Sequence, residues 1–467
     1  MGELVSQTFE VIVVGGGAVG ENAAARAVEG GLTVAMVEAE LIGGECSYWA
    51  CMPSKALLRT PQAVRAATRL DGVTASFDPN AVLARRNSFT SNWKDDSQQK
   101  WAEGAGITVL RGHARLTGVK QLIMDDGTEL TATQAVVLAT GSVPKEPPID
   151  GLADVAHWGS RKATSTQHIP ARLAVLGGGV VGCELAQAFA RLGSDVTMLN
   201  RGDRVLASME PAAATLVRKG LEEDGVRLRF GVSPTRITRD DNGVHLELDD
   251  ATTVVVDELL VATGRRAATD DVGIDAIDLT PGDTLAVDDS GLVSGVDGEW
   301  LYACGDVTDR ASLTHQGKYD ARVVGDVIAA RAKGTVDAGP WSKFAATADH
   351  GAVPQVVFTD PEVAFVGQTA QQVSQSGIAH DVVEIDIAVG GSAVHADGYE
   401  GKAIMVIDRE RRVLLGVTFV GPDVAELLHA GTVAIVGEVP LERLWHAVPA
   451  YPTISEVWLR LLEAAGL

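Results

Sequence analysis

The sequence predicts an α/β protein with two Rossmann-like dinucleotide-binding units and a separate C-terminal α+β domain. Three observations carry that expectation. A strand–glycine turn–helix–strand unit opens the chain, and the same unit recurs about 160 residues later. After about Gly339 the texture changes to strand-like runs followed by helical ones, with no glycine fingerprint. A chain of 467 residues has room for two to four such domains.

The first unit starts with Phe9–Val14, a continuous apolar run of the kind that forms a buried parallel strand. It leads into Gly15-Gly16-Gly17-Ala18-Val19-Gly20, then an Ala-rich helix predicted from about Glu21 to Glu29. A second strand, Leu32–Val37, closes on Glu38, 21 residues after Gly17. Gly15, Gly17 and Gly20 allow a tight turn and the close approach of a pyrophosphate to a helix N-terminus. The acid accepts hydrogen bonds from a ribose.

The second unit repeats the order. Leu173–Leu176 runs into Gly177-Gly178-Gly179-Val180-Val181-Gly182, with a helix predicted over Cys183–Leu192 and a strand over Asp195–Leu199. Gly177, Gly179 and Gly182 match the first triplet, and Asn200 stands 21 residues after Gly179, in the place of Glu38. Two such sites imply two dinucleotides, FAD and a nicotinamide nucleotide. A carboxylate at the second place would repel a 2′-phosphate, whereas Asn200 is neutral and Arg201 and Arg204 follow it. Arginine pairs with phosphate in a bidentate manner, so the pattern favours NADPH over NADH. The alternative is that both arginines are solvated loop charges.

Three further strands end in small or acidic residues. Ala135–Ala139 runs into Thr140-Gly141, Leu259–Ala262 into Thr263-Gly264-Arg265-Arg266, and Leu301–Cys304 into Gly305-Asp306. An acid at the carboxyl end of a strand lies where open α/β sheets bind ligands; its alternative role is a turn or cap.

Gly43-Gly44-Glu45-Cys46-Ser47-Tyr48-Trp49-Ala50-Cys51-Met52-Pro53-Ser54-Lys55 holds two of the four cysteines. Residues five apart on a regular helix are separated by about 8 Å, beyond the roughly 7 Å that a disulfide tolerates. A bridge between Cys46 and Cys51 therefore requires a bent backbone and would be easily reduced. The alternatives are two unrelated buried thiols or a metal-binding pair. Cys183 and Cys304 fall inside apolar elements and read as inert core thiols.

A net charge of −23 without a basic run argues against a nucleic-acid or anionic-membrane partner. Four cysteines exclude a disulfide scaffold and point to a reducing compartment. The polar stretch Met1–Phe9 lacks the features of a signal peptide, and no apolar run is long enough to span a membrane. A cytoplasmic protein is expected, with no resident metal.

The order of these motifs resembles the pyridine nucleotide-disulfide oxidoreductases, which include dihydrolipoamide dehydrogenase, glutathione reductase and the core of mercuric reductase. The resemblance extends through Phe358-Thr359-Asp360-Pro361-Glu362 and Tyr451-Pro452-Thr453-Ile454-Ser455-Glu456, so it covers nearly the whole chain. It implies a homodimer with an FAD domain (1–150 and 271–340), an inserted NAD(P) domain (151–270) and an interface domain (341–467). It further implies that Cys46 is the distal interchange thiol and Cys51 the thiol beside the flavin. Lys55 matches the lysine near flavin N5, Glu184 its partner, and Asp306 the acid that binds the ribityl chain. Gly44, Thr140, Gly141, Gly264 and Gly305 fall at matching cofactor-binding places. Electrons would pass from NADPH to FAD, to the Cys46–Cys51 pair, and on to a small-molecule acceptor.

Three departures bear on that acceptor. Where the disulfide reductases have His-Pro-Thr-x-x-Glu, this chain keeps Pro452, Thr453 and Glu456 but has Tyr451 for the His. A phenol of pKa about 10 is a weak substitute for a group that works near pH 7. Mercuric reductases hand over Hg(II) through a C-terminal cysteine pair, and no cysteine follows Cys304 here. Tyr48 and Trp49 lie between the redox cysteines, as pocket walls or as packing. A disulfide, a soft metal ion such as Hg(II) and a quinone therefore compete as acceptor. The alternatives are a dihydrolipoamide dehydrogenase-like enzyme or a low-turnover redox-sensing flavoprotein.

Overall fold

The structure, a computed structural model, describes residues 6–334 and 336–467, so Met1–Val5 of the polar N-terminal stretch lie outside it. The chain forms two compact units. The first gathers residues 1–53, 87–145 and 264–349, and the second 54–86, 146–263 and 350–467. Among the described residues, no helix is long and apolar enough to cross a membrane.

The first unit is built on a seven-stranded sheet. Strand β1 (Ser6–Val14) lies between β2 (Val34–Glu38) and Glu129–Leu138, parallel to both. Thr108–Arg111 extends the sheet beyond β2, Leu301–Ala303 adds to Glu129–Leu138, and the antiparallel strands Gln121–Met124 and Ala114–Gly118 complete it. β1 begins three residues earlier than expected because Ser6–Phe9 pair with Glu129–Ala132. Helix α1 (Ala18–Glu29) likewise starts at Ala18 rather than Glu21. Gly20 belongs to its first turn, so close to Gly15 that a Cβ would meet that carbonyl oxygen at 1.9 Å. The core on one face of the sheet joins Val11, Val13 and Met36 to Ala23, Ala24 and Ala27 of α1. Val324, Val327 and Ile328, from the 18-residue helix Thr314–Arg331, complete it.

Two helices hold the cysteines. α2 (Gly44–Tyr48) stops because Trp49 leaves helical geometry (φ −137°), and α3 (Cys51–Thr68) starts two residues later. The bend falls between the cysteines. The entry to α2 rests on glycines: Gly43 and Gly17 form a bridge, and Gly44, at φ 56°, would bring an added Cβ within 2.8 Å of Gly17 Cα.

The second unit contains the second fingerprint on the parallel order Arg227–Phe230, Asp195–Asn200, Arg172–Leu176, Glu258–Val261. Its helix, Val180–Leu192, again starts ahead of the expected Cys183. A three-stranded antiparallel sheet, 234–256, follows with no counterpart among the sequence expectations. The C-terminal region forms a five-stranded antiparallel sheet in the order 354–357, 362–367, 414–421, 402–408, 380–386. Helices Leu428–Val436 and Val457–Ala464 share its core, where Phe419 meets Trp458 edge-on at 5.2 Å. Helix Leu428–Val436 is preceded by a 3₁₀ turn, Ala425–Leu427.

The glycine contact at the start of α2 yields a test. Ala at position 44 would combine a left-handed backbone with a backbone clash, a cost of about 2–4 kcal/mol. Gly44→Ala should lower the thermal unfolding midpoint by at least about 5 °C in calorimetry. An unchanged midpoint would show that α2 reseats freely.

Candidate active site

In the first unit the fingerprint turn forms an open cradle. Gly17 has ordinary backbone geometry (φ −69°), and an added Cβ would meet only Gly44 Cα, at 3.8 Å. Neither strain nor packing demands glycine there; what a Cβ would fill is the space at the N-terminus of α1. Anions are favoured at that position by unpaired N–H groups and the helix dipole. At the end of β2, Glu38 accepts the N–H groups of Gly16 and Glu40, each at 2.7 Å. Burial raises its pKa above the usual carboxylate range. Each oxygen retains a second lone pair for a ribose hydroxyl. Thr140 donates to Ala268 O (2.8 Å), Gly141 turns at φ 74°, and Gly305 turns at φ 78° against Val19. Ser142 Oγ donates to Asp306 at 2.7 Å, and Arg265 donates to that hydroxyl at 2.7 Å.

The two cysteines come together at the head of a helix. Cys51 Sγ lies 3.2 Å from Thr314 Oγ1, and Thr314 is the first residue of Thr314–Arg331. Helix N-termini stabilise a thiolate. The Cys46 thiol is hydrogen-bonded to Cys51, and that bond, with burial, pushes its pKa well up, against the opposing pull of Thr314 and Lys318. Tyr48 is buried, 1% exposed, and its carbonyl accepts from Trp93 Nε1 at 3.1 Å. It is packing; Trp49, its neighbour at 5.7 Å between ring centroids, is partly exposed. Cys183 and Cys304 are buried in the core.

In the second unit Lys55 Nζ lies 2.7 Å from Glu184 Oε2, and Glu184 Oε1 accepts the Phe358 N–H at 2.9 Å. The second fingerprint copies the first. Gly177 turns at φ 112°, and Gly182 would place a Cβ 2.0 Å from the Gly177 carbonyl oxygen. Gly179 has φ −80°, and a Cβ there would meet nothing within 4 Å. Asn200 packs on Gly178 as Glu38 packs on Gly16. Its Nδ2 donates to Arg204 O at 2.8 Å, Arg204 donates to Ala207 O at 2.7 Å, and Arg201 is exposed. Gly264, which belongs to the first unit, turns at φ 117° three residues after the strand Glu258–Val261.

Tyr451 and Glu456 sit on either side of Gly390. An added Cβ there would meet Tyr451 Cε2 at 3.1 Å and Glu456 Oε2 at 3.3 Å. That carboxylate oxygen accepts the Gly391 N–H at 3.3 Å, while Tyr451 is 78% exposed. The expected residues thus fall into four groups: Cys46 with Cys51, Lys55 with Glu184, Tyr451 beside Glu456, and the two glycine cradles with their strand-end partners. Arg265 and Phe358 lie within motifs quoted from the sequence but were given no role there, and Thr314 and Ser142 were not singled out. Ser142 directly follows a Thr-Gly pair, a signal that could have found it; Thr314 carries none.

Two dinucleotide folds and a thiol pair on one chain define a nucleotide-linked dithiol oxidoreductase. Residues 9–333 match the family described as pyridine nucleotide-disulphide oxidoreductase, and residues 353–462 match its dimerisation domain. The chain belongs to this family. It is 31% identical to a dihydrolipoyl dehydrogenase of Thermus scotoductus, over 98% of this chain and 97% of that protein. It is 32% identical to a mercuric reductase of Shigella flexneri, over 97% of this chain and 80% of that protein. In fold it is similar to RclA, an HOCl-induced flavoprotein disulfide reductase of Escherichia coli, solved as a Cu(II) complex. That likeness has a TM-score of 0.83 at 24% identity and covers 98% of this chain and 99% of the other. The protein is therefore a flavin-dependent oxidoreductase of the family that uses FAD and NAD(P)H.

The open cradles at Gly17 and Gly179 leave room for the family's two dinucleotides, and Glu38, Asp306 and Asn200 are the residues that could hold them. The two glycines of the second copy should separate binding from folding. Gly179→Ala should leave the thermal midpoint unchanged but raise KM for the nicotinamide nucleotide at least about tenfold, a loss of roughly 1.4 kcal/mol. Gly182→Ala should lower the midpoint, because the helix must shift off the Gly177 carbonyl. The reverse outcome would refute the assignment of the cradle.

Proposed function

We propose that the protein oxidises NADPH and delivers the electrons, through FAD and the Cys46–Cys51 pair, to a small-molecule acceptor that needs no imidazole acid. FAD, when bound, relays the electron pair between the nicotinamide and the sulfurs. NADPH gives up a hydride; its two electrons and one further proton from solvent convert the Cys46–Cys51 disulfide into two thiols. The acceptor takes both electrons as the S–S bond re-forms and the two protons leave the sulfurs. The observation that carries this reading is the sulfur pair at the head of Thr314–Arg331. Cys51 sits at the positive end of that helix, while its hydrogen bond and burial hold the proton on Cys46.

The acceptor is inferred from Tyr451. Thiol–disulfide exchange gains from an oriented acid at the leaving sulfur. Here residue 451 is a phenol rather than an imidazole, and Glu456 accepts the Gly391 N–H. A soft metal ion held by thiolates, or a quinone, suits this arrangement better than a disulfide. The second reading is a dihydrolipoyl dehydrogenase-like activity, favoured by a relative of that name at 31% identity. The exposed Val433, Trp445, Val448 and Tyr451 of the C-terminal domain support a homodimer that covers them.

Steady-state turnover with lipoamide, glutathione disulfide, Hg(II) and benzoquinone tests the acceptor. Hg(II) or benzoquinone should lead in the wild type, and Tyr451→His should raise disulfide reduction at least about tenfold, a modest part of what a general acid contributes. Lipoamide as the best wild-type acceptor would establish the second reading. For the nucleotide, kcat/KM should favour NADPH, and Arg201→Ala should cost about tenfold with NADPH while sparing NADH. Equal use of NADH by the wild type would overturn the phosphate assignment.

A further inference from the structure

Lys55 is a third exposed, and its carboxylate partner Glu184 is only 4% exposed. An ion pair with one end in solvent holds a flexible four-carbon stem poorly. The structure supplies a second contact: Lys55 Nζ lies over the Phe358 ring, 4.8 Å from its centroid. The same residue holds the other member of the pair, since the Phe358 N–H donates to Glu184 Oε1 at 2.9 Å. Phe358 is itself pinned. Its carbonyl accepts from Gln62 Nε2 at 2.7 Å, and two residues on, Asp360 exchanges hydrogen bonds with Gln187 at 2.7 and 2.8 Å. Residue 358 thus grips the carboxylate with its backbone and covers the ammonium with its ring.

We propose that Phe358 is the positioning residue for Lys55: the ring face keeps the ammonium on Glu184 and available to the flavin. The inference rests on the reading of Lys55 as the charge beside the flavin. A leucine fills comparable space without the ring's negative face, whereas a tyrosine keeps that face.

The test is anaerobic two-electron reduction of the FAD-loaded protein, read as the long-wavelength thiolate–flavin absorbance. F358Y should retain the band, and F358L should lose about half of it or more, in line with the strength of a partly desolvated cation–π contact. In a K55Q background, F358L should cause no further loss. Should F358L fail to fold, F358M serves for the same comparison, with thermal midpoints as the control. Wild-type band intensity in F358L, or an equal loss in the K55Q background, would overturn the inference. A wild-type protein with no such band would instead refute the redox relay on which it rests.

Discussion

The first unit depends on one close approach, the packing of Gly43 and Gly44 against Gly17. Gly44 is the member that must lack a side chain, since a Cβ there would lie 2.8 Å from Gly17 Cα. That contact sets the start of α2 directly on the dinucleotide turn, so the redox cysteines and the cofactor cradle share one anchor. The loop before α2 is fixed by Asp95, whose carboxylate accepts the Ile42 N–H at 2.8 Å and pairs with Arg111 at 2.7 Å. Buried Tyr48 closes the short helix from below. With both ends tied, the break at Trp49 is where the backbone bends, and the bend brings two sulfurs together that a regular helix would hold apart.

The second unit depends on two buried carboxylates, each held by more than one donor. Glu184 lies between Lys55 and the Phe358 N–H. Asp360 lies between Arg69 and Arg191. Burial would raise the Asp360 pKa, but Arg191 and then Arg69 outweigh it and hold the group below the usual range. Removing one member of such a network strands the others away from water, a heavier cost than the net worth of any pair. The segment 358–362 is held by these bonds to two helices of its own unit, and Phe358 inherits its rigidity from them.

The chemistry of the thiol pair and its acceptor then separates into two questions. In the proposed relay, electron entry is served by local electrostatics: a helix N-terminus at Cys51, and a hydrogen bond and burial that raise the Cys46 pKa. Electron exit is assigned, in the same proposed relay, to a site with a phenol, Tyr451, where the family's disulfide reductases carry a histidine. The chain resembles dihydrolipoyl dehydrogenases and a mercuric reductase at nearly equal identity, 31% and 32%. Overall likeness favours neither acceptor class, which is why the proposal turns on residue 451.

Both glycine fingerprints, the Thr-Gly strand ends and the cysteine pair were legible in the sequence, because each is a short pattern whose spacing follows from strand, turn or helix geometry; Tyr451 was read only through the resemblance to the family's motif. Helix starts were read late at Glu21 and Cys183, since the third glycine of each triplet belongs to the helix and not to the turn. Tyr48 and Trp49 were indistinguishable as neighbours in sequence, and only the packing made one a core residue. Thr314 on Cys51 and Phe358 on Glu184 join positions 263 and 174 residues apart. Contacts at such range have no period and no local propensity. They exist only where the tertiary fold brings distant backbones together, and there the structure alone decided which groups meet the Cys51 sulfur and the Glu184 carboxylate.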